Sequence, residues 1–172
     1  MKSLRFALPI IFLAFPASSL AQPPTERSFD QLKSLAGTWE GTTTTIPVTP
    51  SIQGKPVQVT MRVTSMGHAL LHEIKTEGRP DDPITMFYMN GSHLYLRQYA
   101  DFGNRPRMVA QANAEKHTIE FNEVDVSGST QWGYMARAVF TIVDGNHHTE
   151  DWTFLAPGNH SVRVHLELHR VQ

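Results

Sequence analysis

The sequence predicts an all-β fold: a single ten-stranded antiparallel up-and-down barrel, closed at one end by a short N-terminal helix. From Trp39 onward the chain is a series of short segments rich in β-branched and aromatic residues, separated by turn residues every ~8–12 positions, the pattern of a sandwich or barrel. One amphipathic helical stretch precedes them. No repeat or second domain interrupts a mature chain of roughly 150 residues, a length that buries about two-thirds of its unfolded surface in one core.

Residues 1–21 read as a signal peptide: Lys2 and Arg5 precede an apolar run from Phe6 to Phe15, and Ser19-Leu20-Ala21 supplies small residues for cleavage. A membrane-spanning helix needs about 20 apolar residues, more than this run has. The expectation is an exported, soluble protein, periplasmic or extracellular. The 172 residues include no cysteine, which removes disulfides, thiolate metal sites and a lipid-anchored N-terminus. Without Lys2 and Arg5 there are 13 basic residues against 16 acidic, a formal charge of −3. No basic cluster suits nucleic acid or an anionic membrane. The sequence does not indicate an oligomeric state.

Residues 22–27 read as a flexible leader. Ser28-Phe29-Asp30-Gln31 matches a capping box, so the helix is expected over 28–36, with Phe29, Leu32 and Leu35 on its inner face. Gly37 is suited to end it in a left-handed conformation. Strands are expected at 39–46, 56–66, 69–77, 84–90, 92–100, 106–113, 116–124, 133–144, 147–156 and 161–171. Asn90-Gly91 marks a two-residue hairpin, because both residues tolerate positive φ. Asp144-Gly145-Asn146 marks another turn. Pro80 to Pro83, Gly103 to Pro106 and Ser127 to Thr130 form loops, and Ile46 to Pro56 is a longer proline-punctuated connection.

Gly37-Thr38-Trp39-Glu40-Gly41, a G-x-W motif following a helix, resembles the first strand of calycin barrels: lipocalins, fatty-acid-binding proteins and nitrobindin-like proteins. The resemblance implies that Trp39 plugs the closed end beneath the helix, with Gly37 and Gly41 allowing tight packing. The whole mature chain is similar to a group of exported bacterial lipocalin-like proteins of unknown function. It shares their G-T-W-E-G start, an M-x-x-x-N-G hairpin at Met86 to Gly91, a G-N-x-P-R-M segment at Gly103 to Met108 and an H-T-E-x-W-T-F strand at His148 to Phe154. That group implies a barrel and a pocket. Thr43 and Thr45 replace glycines of nitrobindin-like haem binders, and Gln98-Tyr99 stands where relatives carry His-Tyr.

Register suggests the site. A turn at Asn90-Gly91 places Phe87, Met89, Leu94, Leu96 and Gln98 on one face, and their apolar character argues that it points inward. Counting around Asp144 to Asn146 places Arg137, Val139 and Thr141 on the face of Glu150, Trp152 and Phe154. Facing a cavity, Arg137 and Glu150 would anchor a ligand's polar end in an apolar pocket. Facing solvent, they would be an ordinary surface ion pair worth ~0–1 kcal/mol. Glu73 and Arg107 are further candidates for the polar cluster or for the rim. The expected ligand is a small, largely apolar molecule with one polar or acidic group, touching Phe87, Leu94, Leu96, Gln98, Arg137, Glu150, Trp152 and Phe154.

No metal site or cofactor is expected, with haem kept as an alternative because nine histidines are present. On a strand, positions i and i+2 lie about 6.8 Å apart on one face, and i and i+4 about twice that. His68/His72 and His165/His169 are therefore too distant to chelate within a strand. His148/Glu150 and His165/Glu167 have the right spacing, but each supplies only two ligands. No nucleophile elbow, phosphate loop or H-E-x-x-H motif is present. An isomerase, cyclase or decarboxylase using a buried Arg/Glu set stays open as an alternative without a catalytic residue to name.

Overall fold

The computed structural model describes residues 22–79, 83–113 and 117–171. The expected signal peptide and the Asp81-Asp82 loop residues lie outside the described residues. One helix, α1 (Pro24–Ser34), precedes ten strands: β1 (Gly37–Ile46), β2 (Pro56–Thr64), β3 (Ala69–Thr76), β4 (Ile84–Asn90), β5 (His93–Tyr99), β6 (Arg105–Asn113), β7 (Thr118–Ser127), β8 (Tyr134–Ile142), β9 (His147–Ala156) and β10 (His160–Arg170). Each strand pairs antiparallel with its sequence neighbours, and β1 pairs with β10 to close the barrel. Closure leaves no free sheet edge.

The helix begins four residues before the expected cap and takes in part of the stretch read as a leader. Pro24 occupies its first turn, where a missing N–H costs nothing and φ is already set for a helix. Ser28 lies inside the helix, and its hydroxyl donates to the Pro24 carbonyl at 3.0 Å, so no capping box forms. Gly37 opens β1 at φ +139 and does not act as a left-handed cap. A side chain there would strike the Arg170 guanidinium. That guanidinium donates to the carbonyls of Ala36 and Ser34 at 2.8 and 3.2 Å, satisfying groups that the end of the helix leaves free.

The closed end is solid. Phe29, Leu32, Leu35 and Trp39 belong to one buried hydrophobic cluster, and Trp39 has no solvent exposure. Its indole N–H donates to the Leu35 carbonyl at 2.8 Å. The His148 ring meets the indole edge-on at 4.2 Å, and the Arg170 guanidinium lies 4.2 Å from the ring centre. Above this floor, Phe87, Phe121, Phe140 and Trp152 pack edge to face at centroid separations of 5.4–6.0 Å. Such contacts add about 0.5–1.5 kcal/mol per pair beyond the buried area.

Two hairpin registers decide which side chains reach the interior. In β4–β5, Asn90 pairs with His93, so the two-residue loop is Gly91-Ser92, with only Gly91 at positive φ (+58). Relative to a loop at Asn90-Gly91 the pairing moves by two positions, an even step, and every side chain keeps its expected face. Phe87, Leu94, Leu96 and Gln98 are buried inside, while Tyr88 and Tyr95 stack outside at 5.9 Å. In β8–β9, Val139 pairs with Asp151 and Thr141 with Thr149. That differs from the expected face assignment by one residue, and a one-residue offset exchanges the faces. A bulge between Met135 and Arg137 adjusts the register again, so Met135, Ala138 and Phe140 line up with Phe154, Trp152 and Glu150.

Candidate functional site

Alternation along β9 sends His148, Glu150, Trp152 and Phe154 into the barrel, which accounts for the spacing of the H-T-E-x-W-T-F segment. Glu150 is fully buried. His72 crosses from β3 and lies 3.0 Å from both carboxylate oxygens, His148 lies 3.1 Å from Oε1, and the Trp152 indole N–H donates to Oε2 at 2.9 Å. Burial pushes the Glu150 carboxyl upward, but attraction to His72 and hydrogen bonds from His148 and His72 outweigh it. The carboxyl is held far below the usual carboxylate range. An ionised carboxylate only accepts, so each imidazole presents Nε2–H to it. The Nδ1 atoms of His72 and His148 are left buried without a partner among the described residues.

Above this network the barrel is hollow. A cavity of about 300 Å³ opens at the end opposite the helix. Its apolar walls come from Ile74, Met135, Trp152, Phe154, Val162, Val164 and Leu166. Thr43 and Gln98 also line it, and Thr43 Oγ1 and Gln98 Oε1 are buried polar atoms with no partner among the described residues. Unpartnered polar atoms are uncommon in protein interiors, and each carries a desolvation cost of about 1–3 kcal/mol, relieved when side-chain rotation turns the atom to a polar partner.

The mouth is built by loops that the sequence marks with proline and glycine. Thr49, Ser51 and Ile52 of the β1–β2 connection reach over it. Gln53 Oε1 ties this loop down by accepting from the Thr45 N–H and hydroxyl at 2.7 and 2.9 Å. Across the opening, Arg79 and Asp101 form an ion pair, and Phe102 lies 5.9 Å from Phe154. The G-N-R-P-R-M segment also serves this rim. Buried Asn104 donates through Nδ2 to the carbonyls of Ser129 and Gly133 at 3.2 and 2.8 Å, joining two loops.

The residues proposed from sequence divide into three groups. Gln98, Trp152 and Phe154 line the cavity. Glu150, Phe87, Leu94 and Leu96 point inward but are packed into the filled half below it. Arg137, Arg107 and Glu73 are outside. Arg137 donates from Nε to Glu120 at 2.9 Å and does not meet Glu150, a direct result of the one-residue offset in β8–β9. Arg107 pairs with Asp125 and stacks over Tyr95 on the outer wall, while Glu73 is exposed on β3. Sequence reasoning missed His72, Thr43 and the β10 wall. The Val162-Val164-Leu166-Leu168 alternation signals that wall, whereas nothing local reveals that His72 meets Glu150 across the barrel.

The fold and cavity define a closed, helix-capped, ten-stranded antiparallel barrel with one filled and one open half. No family model matches the sequence, and no curated protein matches it. Solved structures do resemble it. Rv2717c from M. tuberculosis superposes with a TM-score of 0.64 at 15% identity, covering 84% of this chain and 98% of that one. A protein of unknown function from the DUF3598 family of Nostoc punctiforme PCC 73102 superposes with a TM-score of 0.56 at 9% identity, covering 81% of this chain. This chain spans 49% of that protein's length. At these identities the likeness is one of fold.

Proposed function

We propose that this chain is an exported, soluble binding barrel for a small, largely apolar molecule carrying one neutral polar group. The observation that supports this most is the cavity itself, apolar-walled and lined by Thr43 and Gln98, each with a buried oxygen that has no partner among the described residues. An apolar cavity of ~150 Å³ accommodates benzene, so one of about 300 Å³ suits a two-ring or medium-chain molecule. Neutrality follows from the charges. Arg137 is on the outer wall with Glu120, and Arg79 at the mouth is already matched by Asp101, so neither offers a free cation to an acid.

The alternatives fit less well. A tetrapyrrole exceeds the cavity, and no histidine is among the described residues lining it, so the donor set does not suit haem. Glu150, the group a barrel enzyme would use as acid or base, lies beneath Trp152 with its oxygens committed to three donors.

Naphthalene and 2-naphthol, matched in size and differing by one hydroxyl, test the proposal through quenching of tryptophan fluorescence and native mass spectrometry. Both should bind, and Met135→Trp, which narrows the cavity from its wall, should weaken both. Gln98→Leu should weaken 2-naphthol about two- to tenfold, the value of one hydrogen bond, and spare naphthalene. Failure of both to bind, or binding indifferent to Met135→Trp, would overturn the proposal.

A further inference from the structure

The outer face of the β9–β10 ladder carries a second, separate constellation. His147 and His169 are directly opposite each other across the two strands, and their rings stack at 4.6 Å with 22° between planes. Glu167 lies two positions before His169 on the same face, and its carboxylate is hydrogen-bonded to His147 Nε2. One ligating atom from each of His147, Glu167 and His169 falls within 4.8 Å of the other two. We propose that these three residues form a binding site for a divalent first-row transition metal of the zinc–nickel–copper group.

The chemistry favours that class. Two imidazoles and one carboxylate are ligands for borderline metals, whereas calcium and magnesium prefer all-oxygen sets. Three protein ligands also leave a coordination position for water or an external group. A tetrahedral ion with bonds of about 2.0–2.2 Å needs its ligand atoms roughly 3.3 Å apart. Closing from 4.8 Å takes side-chain rotation alone, and His147 and Glu167 have the freedom for it, with side chains 25% and 46% exposed.

The surroundings support both orientation and charge. His165, next along β10, contacts the second Glu167 oxygen through Nε2 at 3.3 Å, and its Nδ1 is held by Asp151 at 3.0 Å. Such partners fix the attitude of a ligating carboxylate. Glu40 on β1 pairs in register with His169 from the other side, adding negative charge. Arg163 sits at the far end of the strip, 3.9 Å from Asp151. The site faces away from the cavity, so its occupancy does not depend on the apolar ligand.

Zinc chloride titrated by calorimetry into metal-stripped protein, purified without a polyhistidine tag, should bind saturably at one equivalent. The double variant His147→Ala/His169→Ala should lose at least tenfold in affinity, since loss of even an outer partner typically costs about 10–100-fold. His93→Ala/His160→Ala, at exposed histidines elsewhere, should bind as the parent does. Cobalt(II) should give a visible d–d band that disappears in the first double variant. Unchanged circular dichroism would show that the variant is folded. No saturable zinc binding, or equal affinity in the His147/His169 variant, overturns the proposal.

Discussion

Replacing Glu150 by glutamine tests the buried network with almost no change in volume. The carboxylate accepts from His72, His148 and Trp152 at 2.9–3.1 Å with no solvent exposure. An amide keeps one acceptor oxygen and puts an NH₂ where the other was, so the donor on that side loses its acceptor. A buried, unmatched donor costs about 1–3 kcal/mol. Removing one member of a buried charged set typically costs about 3–5 kcal/mol in total. In a domain of this size each kcal/mol moves Tm by about 2–4 °C, so Glu150→Gln should lower Tm by roughly 6–20 °C at pH 7.

The pH dependence has a definite sign. Glu150 is held below its ordinary value of 4.5 in the folded state. Its stabilisation is therefore fully present above the unfolded carboxylate pKa and fades as pH falls toward the folded one. The gap between parent and Glu150→Gln, measured by urea unfolding, should be widest near neutrality and narrow below pH ~4.5. Replacing His72, His148 and Glu150 together by leucine should recover part of the loss, because both imidazole donors leave with the carboxylate and only the Trp152 indole N–H is left without its acceptor. A Tm change under about 2 °C for Glu150→Gln at pH 7, less than one kcal/mol, would refute this account of the interior.

Two further outcomes are expected. Arg137→Ala should leave 2-naphthol binding unchanged and cost only ~0–1 kcal/mol by chemical denaturation, because the Arg137–Glu120 pair is partly exposed on the outer wall. Trp39→Ala should cost about 3–5 kcal/mol through the cavity left under the helix, with loss of the 2.8 Å bond to Leu35 and of the contact with Arg170.

Ten strands, their approximate limits and one capping helix follow from residue alternation and turn chemistry, which act over a few neighbours. The inward placement of Gln98, Trp152 and Phe154 also follows, because an even displacement at Gly91 does not exchange faces. The position of Arg137 does not follow. A one-residue difference in the β8–β9 register and a bulge at Met135 send it outside, and alternation cannot supply the absolute face. The helix start was obscured by Ser28, whose hydroxyl serves an internal carbonyl as readily as a free N–H.

Contacts across the barrel belong wholly to tertiary structure. His72 and Glu150 are 78 residues apart and meet only when β1 and β10 close the sheet. Closure likewise leaves Thr43 Oγ1 and Gln98 Oε1 buried without a partner among the described residues, and register brings His147 opposite His169. Local pattern sets which residues alternate and where the chain turns. Which atoms converge depends on register and curvature summed around ten strands, and no short stretch of sequence holds that sum.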